Sequence, residues 1–381
     1  MNPLDTQRMT PEPAPELRVS GEAILYRLHE VGYQIDLDRA FDLLGSSAPE
    51  RPRPVRGEAQ AIQIPNPPVT AGLGTEQLVV AGVEREVEMS ARVFDFGVIS
   101  LRARLVATPD LDWPAFAEFG VGVVGDPRWR ECFERSRRLL LERIGPAIEK
   151  PGDAPVSEDY VVFRVHGLRD VAGAALPADA LRDEDVARLL VGESRPLSTT
   201  ARKDLLSQRF TYFEDDLAVL TWNAALVVEP VPEDTDVQYV LEFANAQLLE
   251  LRYFDAMLDA ELPRIYDRID EARHGFHLFG RRYGQLLVQL QTRVADATEL
   301  VERVENSLKV TDDVYLARLY AAALEIFRGR TWRNGIDRKL AIIRDAYAML
   351  NAESQARRSE ALEVIIVVLI VIELVLALLR H

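Results

Sequence analysis

Four groups of residues have types and spacings that chemistry can use. Gly120, Gly122 and Gly125 spell G-x-G-x-x-G, the pattern whose backbone N–H groups cradle a pyrophosphate when a buried strand runs straight into the first glycine. Here the preceding WPAFAEF reads as helix, which favours a turn over a phosphate loop. Glu271, His274 and His277 fall at i, i+3 and i+6 on an expected helix, where histidines one turn apart can bind a metal with a ligand from elsewhere. The alternative is that both histidines flank the helix stripe near Phe276 and Phe279. The triplet Glu214-Asp215-Asp216 offers oxygens to a hard cation but lacks the glycine and spacing of an EF-hand, so an exposed acidic turn is the alternative. Cys132, in a charged helix, reads as a spectator rather than a nucleophile. His29 and His166 have no nearby partner pattern, and no Ser/His/Asp or Cys/His signature is present. No catalytic, metal or cofactor residue is assigned, and no cofactor is expected.

The elements that must position these residues come in two textures. Residues 1–17 are polar and Pro-rich, with the composition of a disordered terminus. Residues 18–44 carry apolar positions at helical spacing (Ile24, Leu25, Leu28, then Leu37, Ala40, Phe41, Leu44), ended by Gly45. Ser46–Gly57 reads as a Pro/Arg linker, so 18–57 is expected to hold short helices and a linker. From 58 to 232 short β-like runs (AIQI, EQLVVA, VEREVEM, ARVFDFGVISLRARLVA, YVVFRV) intermix with helices predicted at Trp113–Phe119, Pro127–Ile144 and Ala178–Leu190. Asp126-Pro127 is the predicted start signal of the second helix. Arg209–Pro230 reads as a hairpin turned by the acidic triplet. Without regular βαβ spacing, an α+β head is expected rather than a Rossmann sheet.

After Pro230 the strands stop. Leu241, Ala244, Leu248, Leu251, Leu258 and Leu262 follow three-four spacing, Pro263 is expected to break or kink the helix, and the stripe resumes from Ile265 to Leu308. A turn at Thr311–Asp313 leads to another helix, then Leu340, Ile343, Tyr347 and Leu350 form a last stripe. Residues 233–356 therefore read as a long helical hairpin or bundle, with coiled-coil character.

The last segment, 357–381, is different again. Leu362–Leu379 reads LEVIIVVLIVIELVLALL, with fifteen Leu, Ile or Val residues, and as a helix measures about 27 Å against a hydrocarbon thickness of about 30 Å. On an insertion scale those side chains contribute roughly −4.5 to −9 kcal/mol, against about 3 kcal/mol for Glu373 and less for Glu363. One C-terminal transmembrane helix is expected, its anchor residues Leu362, Glu363, Ile366, Leu369, Ile370, Glu373, Leu376 and Leu379. Glu373 is either an inter-helix hydrogen-bonding group or a neutralised carboxylate on a passive anchor. With Pro11, Pro13 and Pro15 near Met1, no signal peptide is expected, and Arg357 and Arg358 favour a cytoplasmic body.

The 381 residues carry 45 Lys and Arg against 61 Asp and Glu, a net charge of −16. Such a chain is a poor match for a phosphate backbone. A single cysteine excludes an intramolecular disulfide framework and a Cys-based zinc site. With 48% hydrophobic residues the chain can bury a core.

Several of these stretches resemble a known family. LEVIIVVLIVIEL (Leu362–Leu374), with glutamates at 363 and 373, resembles the ending of the "required for meiotic nuclear division" family, the YagE-like domain of unknown function. VFDFGVIS (Val93–Ser100), FEDD followed by Trp222, and Ala246-Gln247 with Leu251, Phe254 and Asp255 resemble further family stretches. The resemblance implies a membrane-bound protein with its bulk on the cytoplasmic or matrix side, and the Ala- and Arg-rich composition with no expected transit peptide favours a bacterial member in the inner membrane. It also implies homo-oligomers and a link to the translation machinery, and transfers no catalytic residues.

Together these readings predict a non-enzymatic, tail-anchored scaffold or adaptor that self-associates through its helices and anchor. Its partners would be the lipid bilayer and other copies of itself, with no direct nucleic acid. The alternative is a nucleotide- or divalent-cation-binding enzyme or regulator using a cleft in the α+β head.

Overall fold

A computed structural model describes residues 17–47, 66–80, 82–152, 156–192, 195–230, 236–274, 288, 292, 295 and 313–379. Residues 1–16 of the expected disordered terminus 1–17, most of the Pro/Arg linker, the AIQI run and nearly all of the 275–308 stripe lie outside the described residues, while Leu17 is buried. The chain divides into two compact units: Met1–Leu249 with Val310–Phe327, and Glu250–Lys309 with Arg328–His381.

The first unit is a mixed α/β structure built on a large sheet. Its strands are β1 (Arg18–Glu30), β3 (Val69–Val80), β4 (Val83–Val93), β5 (Val98–Val106), β8 (Ser157–Arg169), β10 (Arg209–Phe210), β11 (Leu217–Leu220) and β12 (Ala224–Val228). They run in the order β10-β11-β12-β8-β1-β5-β4-β3, with the short β6 (Leu111–Asp112) on β1 and β9 (Ala175–Leu176) on β8. The pairs along this order are antiparallel except β12 with β8, which is parallel. A separate pair joins β2 (Gly32–Ile35) to β7 (Ile148–Pro151).

Because side chains alternate across a strand, the sheet has two buried faces. On one, Ala23, Leu25, Met89, Leu101, Ala103 and Phe163 meet the apolar sides of α2 (Trp113–Val124) and α3 (Trp129–Ile144). The other face carries Glu22, Ile24, Tyr26 and Leu28. It is packed by the start of α6 (Asp236–His274) and by α7 (Val314–Ile326) with its following residue: Phe94 stands 6.0 Å from Phe243, and Tyr160 5.6 Å from Phe327, ring centre to ring centre. The remaining helices of this unit are α1 (Leu37–Leu44), α4 (Asp183–Val191) and α5 (Thr199–Leu205).

Local signals account for several boundaries. Asp112 caps α2 by accepting the Ala115 N–H at 2.8 Å, Ser198 caps α5 and Asp313 caps α7. Asp126 does not start α3 at Pro127. Its carboxylate accepts the Arg128 N–H at 3.0 Å, and the helix begins at Trp129.

Two element expectations change. Residues 18–30 are not helix but β1, the strand between β5 and β8. A strand buried on both faces shows a continuous apolar texture that period counting does not separate from a helix. Pro263 lies inside α6, which runs unbroken across it.

In the second unit, Leu340 and Ile343 are buried on α8 (Gly329–Leu379), and Lys339 Nζ bridges Asp255 at 2.7 Å and Asp259 at 2.6 Å. Tyr347 and Leu350 have side chains outside the described set.

The membrane expectation is corrected. Among the described residues, no helix is long and apolar enough to cross a membrane. The apolar end of α8 carries Glu363 and Glu373, carboxylates that are costly to place in hydrocarbon. The predicted single-pass C-terminal transmembrane helix is therefore unsupported. The tail-anchored description, the lipid bilayer as partner and the inner-membrane location fall with it.

Candidate functional site

The glycine motif is not a phosphate loop. Gly120 and Gly122 lie inside α2 and Gly125 is its C-terminal cap, so the amides of the two helical glycines sit in the interior of a helix and form no cradle. A Cβ on Gly120 would stand 2.7 Å from Leu189 Cδ1 and 2.8 Å from Phe163 Cε1. The glycine lets α2 approach α4 and β8.

The acidic triplet turns the loop from β10 to β11. Asp216 Oδ1 accepts the Tyr212 N–H at 2.7 Å, while Glu214 and Asp215 point to solvent. Glu271 and His274 are on α6 with side chains outside the described set, and His277 lies outside it altogether. Among the described residues, no group of three or more His, Cys, Asp or Glu is arranged to hold a metal ion.

Cys132 is buried, with Sγ 3.7 Å from both Met89 Sδ and a Glu76 carboxylate oxygen. Burial first, and the Glu76 charge second, push its thiol up to about 12, so little thiolate forms at neutral pH. His29 is also buried; desolvation, helped by the Arg137 charge, lowers it to about 4, leaving a neutral imidazole.

His166 belongs to an arrangement that motif reading missed. Glu22 on β1 has no exposed surface. One of its oxygens lies 3.3 Å from Arg164 Nη1 on β8; the other lies 2.7 Å from Arg104 Nε on β5 and 3.7 Å from His166 Nε2. Arg104 also reaches Glu88 on β4 at 3.1 Å. Burial alone would push the Glu22 carboxyl up, but the neighbouring His166 imidazole and the charge and hydrogen bond of Arg104 outweigh it and hold the group below its ordinary value. The one available signal was charge at every second position, as in Arg102 and Arg104. The lattice is ionised and fixed, yet a carboxylate with no exposed surface meets no substrate. Its chemistry is the pinning of strand register.

Two cavities stand out among the described residues, one small and one open. A pocket of about 90 Å³ between α4 and α5 is lined by Glu184, Ala187, Arg188, Val191, Leu197 and Arg202, below the roughly 300–1,000 Å³ of cofactor sites. An open depression of about 330 Å³ beside Pro127 is walled by Arg128, Arg130, Glu131 and Glu134.

Another accessible feature is the apolar end of α8. Fourteen Leu, Ile and Val side chains between Leu362 and Leu379 are each about half exposed or more: Leu362, Ile366, Leu369, Ile370 and Leu376 at 51–60%, and Leu379 at 78%. Glu363 and Glu373 stand among them. Such a helix, apolar on every side, has a surface suited to burial.

Comparison with known proteins adds two findings. The family described as "Uncharacterized protein MJ0711, N-terminal domain" matches residues 20–235. "Uncharacterized protein MJ0711" of Methanocaldococcus jannaschii is 27% identical over 250 residues, covering 65% of this chain and 74% of the relative. Neither supports the resemblance to the "required for meiotic nuclear division" or YagE-like family, nor the expected bacterial membership. That resemblance rested on short apolar and aromatic runs, which buried strands and apolar helices of unrelated folds share.

Proposed function

The chain belongs to the family of the MJ0711 N-terminal domain, and from that premise we propose that it is a non-enzymatic scaffold that self-associates through the apolar end of α8. The observation that carries the proposal is the exposed run from Leu362 to Leu379. Full burial of a Leu or Ile removes about 60–120 Å² at about 25 cal/mol per Å². Half of that over fourteen side chains is roughly 400–800 Å², close to the ~800 Å² per partner of a standard interface. A second copy brings an identical helix of matching length and apolarity, so one surface serves both partners. Glu373, ten positions after Glu363, then acts as a polar group that sets the register of the paired helices, as single polar core residues do in coiled coils.

The test is light scattering of the full-length chain over a hundredfold range of concentration, beside Leu369→Glu/Leu376→Glu and Glu373→Leu. The expected result is an oligomer that the double-glutamate variant converts to monomer, with the melting of the sheet-bearing unit unchanged. Glu373→Leu is expected to associate more tightly and with mixed stoichiometry. A wild-type monomer throughout, or a chain that binds lipid vesicles instead of itself, would overturn the proposal. Association at unchanged strength and stoichiometry in Glu373→Leu would remove the role given to Glu373.

A further inference from the structure

The β10–β11 loop carries two adjacent aromatic side chains, Tyr212 and Phe213, each 66% exposed. Their rings meet nearly at right angles, 4.8 Å apart and tilted 84°. Tyr315, from the first turn of α7, stands 5.6 Å from Tyr212 at 60°. Three rings thus form adjoining, steeply inclined walls.

Their surroundings are acidic. Asp216 is held by the Tyr212 N–H and Asp313 by the Tyr315 N–H, at 2.7 and 2.8 Å, so both carboxylates are anchored next to the rings. With Glu229 they act electrostatically on the Tyr315 hydroxyl. Glu214 and Asp215 extend the same loop into solvent. Aromatic faces carry negative potential and attract cations, and nearby carboxylates strengthen that attraction. The cation–π contacts among the described residues involve Arg27, Arg85, Arg92, Lys150 and Arg252, all over other rings.

We infer that the rings of Tyr212, Phe213 and Tyr315, rimmed by the carboxylates of Glu214 and Asp215, form a docking surface for an arginine side chain in a basic segment of a partner protein. Charge complementarity selects the occupant: an apolar partner would leave the acidic rim desolvated, and a nucleic acid would be repelled by it. Arginine suits the place because its planar guanidinium stacks on aromatic faces and sheds water more readily than an ammonium. This surface lies on the sheet-bearing unit and is independent of association through α8.

The experiment measures fluorescence anisotropy of a labelled Gly-Arg octapeptide titrated with the full-length chain. Saturable binding is expected, weakening about tenfold in Tyr212→Ala/Phe213→Ala, the effect of losing two cation–π contacts of about 0.5–1 kcal/mol each. Tyr212→Leu/Phe213→Leu keeps apolar area but removes the rings, and is expected to weaken binding to a similar degree. Glu214→Gln/Asp215→Asn should weaken binding severalfold and flatten its salt dependence. Absence of saturable binding overturns the inference. So does wild-type affinity in either aromatic variant with unchanged thermal melting, because the attraction would then be the overall −16 charge or apolar contact alone.

Discussion

Glu22 and Arg164 face each other as register partners across β1 and β8, Oε1 to Nη1 3.3 Å, with 0 and 1% of their surfaces exposed. They are 142 positions apart in the chain. Through Arg104 and Glu88 the ion network continues across β5 and β4, so four neighbouring strands are tied on one face. A one-residue slip of β1 would turn Glu22 to the opposite face and strand the arginines without it. Burying these charges costs several kcal/mol, offset only while every partner stays in place.

Glu22→Gln should therefore destabilise the protein by about 3–5 kcal/mol, since it removes the buried negative charge that faces Arg104 and Arg164. Because the folded state holds this carboxyl below its ordinary value, its contribution is present above the unfolded value and is lost as pH falls through the folded one. Glu22→Met/Arg164→Met should recover most of the loss. Urea unfolding of the two variants at pH 7 provides the comparison.

His29 makes a second acid-sensitive contribution, with the sign set by a lowered base. Unfolded, it takes a proton near 6.5; folded, it resists protonation until about 4. Between those values the unfolded state binds more protons, so stability falls as pH drops from about 6.5 to 4, by up to roughly 3 kcal/mol. His29→Gln should flatten that part of the profile, read from unfolding midpoints at pH 7 and 4.5.

Gly97 occupies the β4–β5 turn with φ +88, and a Cβ there would stand 1.9 Å from the Gly32 carbonyl oxygen. Its own carbonyl accepts the Val31 N–H at 2.9 Å. Gly97→Ala should cost more than about 2 kcal/mol, combining left-handed strain with a backbone clash. Gly74→Ala, at φ +94 with open space around it, should cost only about 1 kcal/mol. Thermal melting of both separates the clash from the strain.

Gly120→Ala tests the glycine motif as packing. The added methyl meets Leu189 and Phe163, for an expected loss of about 1–3 kcal/mol in chemical denaturation. Nucleotides should leave wild type and variant melting temperatures equally unmoved.

Much of the local structure was legible because its causes are local. Asp112 with Pro114 starts α2 where the helix from Trp113 was expected, and YVVFRV sits within β8. β1 was not legible, because burial on both faces erases the alternation that marks a half-exposed strand. Of the break or kink expected at Pro263, the break does not occur, since the rest of the helix maintains its hydrogen bonding around one missing N–H.

By itself the sequence determined the chain's acidic charge, the absence of an intramolecular disulfide, and the concentration of apolar residues after Leu362, all properties of composition or of residues within a few positions. Only the tertiary structure decided that Gly120 is a helix contact, that Asp216 holds a turn, and that Glu22 meets Arg104, Arg164 and His166. The physical reason is range: a cap is settled by atoms three residues away, whereas the Glu22 lattice forms only when strands more than eighty residues apart share one sheet and exclude the water that would otherwise screen its charges.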